Sequence, residues 1–340
     1  MRRGLAIASL AVLLPGAGAA RETRIRVPPG FRVTVFARGL AQPTAMAWGP
    51  DGRLYVTQTG GAIAAVDPAG RTHPFAGARG TPLGLVWVGR RLFVSETGRI
   101  ERMTLSGTRP VARRTIVRNL PHGLHQQDNI VAGSGGRLFF GNGSTCDACR
   151  ERDRRNAAVL TVRQDGSGLK VFATGLRNPY GLAFQPGTNR LYVSVNGQDH
   201  LGATEPADMV VVARRGHFYG WPRCWPSARR LRMVGRCRGV TRPAAYLEPH
   251  SSADGIAFYA GTRFPRAYRG NLFVAEWGQY YSHRFGRRVV RIQLGPRGGA
   301  RRVSPFASGF DHPLAIANDK SGGLLVADWG AGVIYRISAR

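Results

Sequence analysis

The chain has 340 residues, with 49 Lys plus Arg against 19 Asp plus Glu and a formal net charge of +30 at pH 7. The basic residues are nearly all arginines, Lys170 and Lys320 being the lysines, and they scatter over turns instead of gathering on a helix or alternating with aromatics. That excludes the basic helix and the base-stacking ladder of nucleic-acid binders, and GC-rich coding accounts for the composition, although such a field still draws in anionic ligands.

Taken in chain order, the first feature is Met1-Arg2-Arg3, then an apolar run from Leu5 to Leu14, then the small residues Ala17-Gly18-Ala19. A basic head, a short hydrophobic middle and a small-residue cleavage site predict a secretory signal peptide over residues 1–19 and a periplasmic or secreted protein over 20–340. No later stretch reaches the roughly 18 apolar residues of a membrane helix, so no membrane span is expected.

From about Leu40 onward one phrase returns six times: two short period-two apolar runs around a turn. The copies begin at Ala45-Met46-Ala47-Trp48, Leu83-Gly84-Leu85-Val86, Ile130-Val131-Ala132-Gly133, Gly181-Leu182-Ala183-Phe184, Gly255-Ile256-Ala257-Phe258 and Leu314-Ala315-Ile316-Ala317. Their second runs are Leu54-Tyr55-Val56, Leu92-Phe93-Val94, Leu138-Phe139-Phe140, Leu191-Tyr192-Val193, Leu272-Phe273-Val274 and Leu324-Leu325-Val326. Each is a β-hairpin signal, and spacings of roughly 40 to 70 residues leave room for two more strands per copy. The reading is an all-β, six-bladed β-propeller in one domain, because a blade cannot bury both faces alone and no Pro/Ser-rich linker separates the copies.

Four cysteines in an exported chain predict disulfides. Cys146 and Cys149 share one loop, and Cys224 and Cys237 bracket an Arg-rich excursion, so two local pairs are expected. The spacing of the first pair also suits zinc, but the second pair lacks it.

Polar residues recur just before the innermost strands: His125, Arg177 with Asn178, His250 with Asp254, and Asp311 with His312. Equivalent points of successive blades face the same mouth of the channel, so these residues are candidates for one pocket.

The segment Leu120-Pro121-His122-Gly123-Leu124-His125, the run Gly175-Leu176-Arg177-Asn178-Pro179-Tyr180-Gly181-Leu182 and the phrase Tyr219-Gly220-Trp221-Pro222 together resemble the soluble quinoprotein glucose/sorbosone dehydrogenase family. The resemblance spans nearly the whole mature chain, including His250-Ser251 and the repeat from Gly309 to Ile337. It implies a six-bladed propeller that oxidises an aldose at its anomeric carbon, with pyrroloquinoline quinone (PQQ) and calcium as cofactors. His125 then stands where the family places its general base, a role that suits imidazole. Arg177 matches the arginine beside the quinone oxygens, Asn178 the cofactor edge, and Gly197 and Gln198 the backbone carbonyls that hold calcium. His122 is the neighbouring histidine not expected to serve as base.

The chain departs from the family where cations meet the carboxylates of the quinone. Trp277 stands near the usual lysine position and His312 where an arginine is usual, while Arg284 and Arg287 follow in the same loop as substitutes. Two other functions compete: a calcium-dependent sugar lactonase recruiting Asp254, Asp311 and Asn178, and a non-catalytic propeller that binds a glycan or protein at its mouth.

Overall fold

The computed structural model describes residues 24–106, 108–280 and 283–340, and the expected signal peptide lies outside the described residues. Six antiparallel four-stranded sheets form the blades. The repeated phrases are their opening hairpins: Pro43–Trp48 with Leu54–Gln58 in blade 1, Pro82–Val88 with Arg91–Glu96 in blade 2, and Gln127–Ala132 with Arg137–Asn142 in blade 3. Blades 4, 5 and 6 open with Leu182–Phe184 and Leu191–Val195, Ala253–Phe258 and Leu272–Glu276, and Pro313–Asn318 and Leu324–Asp328. The first strand of each blade touches the first strand of the next, and that of blade 6 touches that of blade 1, so these six strands ring the axis. Helix among the described residues is confined to two 3-10 turns, Ser134–Gly136 and Arg266–Tyr268.

Period-two alternation explains why the second strands read as solid apolar runs. In blade 1, Leu54 and Val56 face blade 6 while Tyr55, between them, faces blade 2. Both faces of the sheet are covered by neighbours, so every position is buried. The core is accordingly six clusters, one in each seam between successive blades. Full burial of one such aliphatic or aromatic side chain contributes about 1.5–3 kcal/mol.

Two elements lie beyond the repeat pattern. Phe31–Ala37 pairs antiparallel with Val333–Ala339 and becomes the outer strand of blade 6, joining the two ends of the described chain. In blade 4, a small hairpin of Cys224–Ser227 and Arg232–Gly235 is inserted between the third strand, Ala207–Ala213, and the fourth, Ala245–Pro249. Cys224–Cys237 and Cys146–Cys149 are both disulfide-bonded, in the local pairing expected.

Five of the six innermost strands, all but that of blade 4, are bulged near their starts, with register shifts at Pro43/Ala45, Pro82/Gly84, Gln127/Ile130, Ala253/Ile256 and Pro313/Ala315. Bulges re-aim side chains, and these occur at the mouth where the polar residues gather. Asp254 lies inside its strand, one residue past the start, whereas His125, Arg177, Asn178, His250, Asp311 and His312 precede theirs.

Candidate active site

At that mouth is a cavity of about 300 Å3 lined by His125 from blade 3, by Arg177, Asn178 and Gly197 from blade 4, and by His250 and Trp277 from the loops flanking the first hairpin of blade 5. The structure therefore brings together five of the seven residues singled out for catalysis, cofactor or metal. Gln198 lies beside this cavity in a narrow crevice shared with Arg177, Gly197 and Trp221. His122 lines a separate groove of about 700 Å3 with Arg79, Arg99 and Arg118. That groove is larger, but the buried and ion-paired groups converge on the smaller cavity.

Backbone pairing explains why residues from two blades meet. Leu124 N–H donates to Thr145 C=O (3.0 Å), His125 N–H to Ser144 C=O (2.9 Å), and Ser144 N–H to Arg177 C=O (2.8 Å). The approach is so close that a Cβ on Gly143 would lie 2.2 Å from the Cβ of His125 and 3.1 Å from Asn178 Oδ1. Gly197 is similarly confined, since a Cβ there would meet Pro206 at 2.5 Å, and its N–H donates to the buried Asp208 carboxylate at 2.8 Å.

Arg177 is 4 % exposed and its guanidinium is fixed on one side. Nε donates to Asp147 C=O (3.1 Å), and NH2 donates to Asp147 Oδ1 (2.8 Å) and Asp199 Oδ2 (2.6 Å). No described group bonds NH1, which leaves it to the cavity.

The two histidines of the cavity are driven in opposite directions. Burial, and next the Arg177 charge, lower the pKa of His125 to about 4. Burial alone would also lower His250, but the Asp199 carboxylate and the carbonyls of Gly202 and Glu205 outweigh it and raise His250 to about 9. At neutral pH His125 is thus a neutral imidazole and His250 a cation. Composition and spacing marked His250 as a mouth residue without showing that it carries charge, because the charge depends on Asp199, 51 positions away in the chain.

Several buried oxygens have no donor. Asn178 Oδ1, Asn196 Oδ1 and Gln198 Oε1 are enclosed without a hydrogen-bond partner, and all three are neutral amide oxygens around Gly197. A hard cation takes such oxygens, so the set present fits calcium.

On the blade 5 and 6 side, Trp277 lies against His312, with ring centroids 4.0 Å apart, and against Tyr280 and Trp329. His312 Nε2 is 3.2 Å from Arg287 NH2, and Arg287 also reaches Asp311 Oδ1 at 3.9 Å. A permanent cation therefore stands one residue layer behind Trp277 although neither Trp277 nor His312 supplies it. Arg284 makes a different contact, over the Phe285 ring.

Of the proposed lactonase ligands, Asn178 keeps a free amide oxygen while the two carboxylates are engaged. Asp254 accepts from Asn196 Nδ2 (3.0 Å) and Ser252 Oγ (3.1 Å), while an Asp311 oxygen lies 2.9 Å from His312 Nδ1. The described buried glutamates Glu96 and Glu276 end second strands and Glu101 sits on a third, so none lies on an innermost strand.

Together these observations define a six-bladed propeller with a cation-bearing polar pocket at one mouth. The family model for glucose/sorbosone dehydrogenases matches residues 86–326, and the chain belongs to that family of sugar oxidoreductases. It is 22 % identical over 242 residues to the aldose sugar dehydrogenase YliI of Escherichia coli, covering 58 % of this chain and 62 % of that one. The fold is similar to the holo form of the pyranose dehydrogenase PQQ domain of Coprinopsis cinerea, with a TM-score of 0.80 at 19 % identity over 95 % of this chain and 99 % of that one. It is also similar to the PQQ-bound aldose sugar dehydrogenase of Streptomyces coelicolor, with a TM-score of 0.72 at 23 % identity over 93 % of this chain and all of the other.

Proposed function

We propose that the protein is an exported, PQQ- and calcium-dependent aldose dehydrogenase whose reaction takes place in the mouth cavity. The observation that carries this reading is the juxtaposition of a buried neutral imidazole, His125, with a guanidinium, Arg177, in a cavity rimmed by donor-less amide oxygens. Bound PQQ would supply the two-electron acceptor for the sugar. Asn178, Asn196, Gln198 and the backbone at Gly197 would hold calcium, and Arg177, His250 and Arg287 would meet the negative charge of the quinone.

His125 takes the proton from the anomeric hydroxyl at Nε2, which no described group bonds. Its lowered pKa keeps that lone pair available over the neutral range, and a positioned base contributes roughly 10² to 10⁴ in rate. Arg177, held from behind by two aspartates, presents NH1 where negative charge develops, and its fixed geometry spares reorganisation. Tyr280 is exposed at the rim, its ring nearly parallel to that of Trp277 with centroids 6.5 Å apart. Two disulfides agree with an oxidising compartment outside the cytosol.

The test is aldose oxidation by purified protein, followed with a dye acceptor before and after addition of PQQ and calcium. Activity that requires both additions supports the reading. Sugar oxidation without either, or lactone hydrolysis that needs calcium alone, contradicts it.

A further inference from the structure

The turn between Ser144 and Cys149 touches both reactive groups. His125 Nδ1 lies 3.0 Å from Ser144 Oγ, and Ser144 Oγ is 2.7 Å from the Cys146 carbonyl. A carbonyl only accepts, so the serine hydroxyl proton is committed to it. The serine oxygen can then interact with His125 only by accepting from Nδ1–H, which leaves the lone pair on Nε2.

The next residue fixes the cation. Asp147 receives six hydrogen bonds: its backbone carbonyl accepts from Arg177 Nε (3.1 Å) and Trp221 Nε1 (3.0 Å), Oδ1 from Arg177 NH2 (2.8 Å) and Asp199 N–H (2.7 Å), and Oδ2 from His200 N–H (3.2 Å) and His200 Nδ1 (2.8 Å). The Cys146–Cys149 disulfide closes the turn around Asp147, and Glu151 clamps its other side by accepting from Thr145 N–H and Oγ1, both at 2.7 Å.

We infer that this disulfide-closed turn is a positioning element, in which Ser144 sets the tautomer of His125 and Asp147 sets the orientation of Arg177. The same oxygen that receives Arg177 Nε also receives the indole of Trp221, so the inserted segment of blade 4 braces the turn from outside. Ser144 and Asp147 are positioning residues: they act through His125 and Arg177 and need touch neither sugar nor cofactor. The effect on rate rests on the dehydrogenase reading, whereas the tautomer and the guanidinium geometry are properties of the protein alone.

The experiment has two readouts. Nitrogen-15 NMR of the histidine rings in cofactor-free protein, with His125 assigned by loss of its signals in His125→Gln, reads the tautomer. Wild type should show protonated Nδ1 and a bare Nε2, Ser144→Ala a mixture of both neutral tautomers, and Ser144→Thr the wild-type pattern. The Nε–H of Arg177 should exchange with solvent at least tenfold faster in Cys146→Ser/Cys149→Ser, with the Cys224–Cys237 bridge intact as a check on folding. In enzyme loaded with PQQ and calcium, Ser144→Ala should lower kcat roughly 10- to 100-fold with KM little changed, and Ser144→Thr should recover it. The inference is overturned if wild-type His125 carries its proton on Nε2, or if both the tautomer in Ser144→Ala and the Arg177 exchange in the double variant stay as in wild type. If tautomer and exchange respond as expected while the wild type oxidises no aldose, the positioning stands and the dehydrogenase reading falls.

Discussion

Blades 3 to 5 and blades 6, 1 and 2 share one backbone plan but bring different residues to the axis. At the start of the innermost strand, or two residues before it in blade 4, blades 3, 4 and 5 place Asp128, Tyr180 and Asp254, whereas blades 6, 1 and 2 place Leu314, Thr44 and Leu83. Burial pushes the carboxyls of Asp128 and Asp254 upward, Asp254 to about 8, and Asp128 is raised further by Asp254. Asp128 Oδ2 and the Tyr180 hydroxyl are enclosed without partners. The same half of the ring carries His125, Arg177 and His250, while the seams of the other half are as apolar as any in the molecule. Blade flanks thus repeat one apolar pattern, and chemistry is added at and just before the starts of the innermost strands.

If stability resides in the seams and chemistry in one half of the mouth, the two should separate under mutation. The largest effect expected is on stability, from Phe31→Ala in the closing strand. Phe31 is 3 % exposed and makes edge contacts with Phe264, Tyr268 and Phe306, so truncation should cost about 3–5 kcal/mol by denaturant titration. Cofactor affinity should be unchanged below the transition; a lost site would show that seam and mouth are not separable.

Next in size is His125→Ala, which should reduce turnover in the reconstituted enzyme by roughly 10² or more with cofactor binding retained. His122→Ala, in the neighbouring groove, should be mild. The opposite ranking would place the base in the wrong cavity.

A smaller effect concerns pH. The acid limb of kcat/KM should fall near the lowered pKa of His125, about 4, and Arg177→Gln should move it upward, part way to the ordinary histidine range, because burial remains. The same shift has a sign in stability: a folded-state pKa below the unfolded value means that His125 costs stability as pH falls from about 6.5 towards 4. His250, raised to about 9, contributes stability that is fully present below about 6.5 and lost as pH rises through 9. An acid limb near 6.5 in wild type would contradict the burial of the base.

The smallest expected effect separates two cations. Arg287→Gln should weaken PQQ binding several-fold, measured by calorimetry, whereas His312→Arg should not strengthen it. Arginine at 312 would face Arg287, now 3.2 Å from the imidazole, and like charges at that range repel. Tighter binding by His312→Arg would show that residue 312 meets the cofactor directly.

The six opening hairpins were legible because period-two alternation and turn residues are local signals. The strand Phe31–Ala37 was not, since its partner Val333–Ala339 lies some 300 residues away and a seven-residue run resembles any other edge strand. At the site, His125, Arg177, Asn178 and Trp277 were legible through motif and blade position. Asp147 and Asp199 were hidden, because their role is to hold Arg177 across two loops and neither belongs to a repeated phrase. The one local clue was an acidic residue inside a two-residue cysteine spacing, next to the serine that meets His125. Arg284 and Arg287 were both legible as substitute cations, and only the contact of Arg287 with His312 in space separates the two.

Whether the blade 3 to 5 side of the mouth holds the quinone is read by titration of PQQ into cofactor-free protein, with and without calcium, monitored by the absorption of bound PQQ. One PQQ should bind per chain, only with calcium and markedly more weakly in Arg177→Gln. Absence of binding, or binding indifferent to both calcium and Arg177, would contradict it.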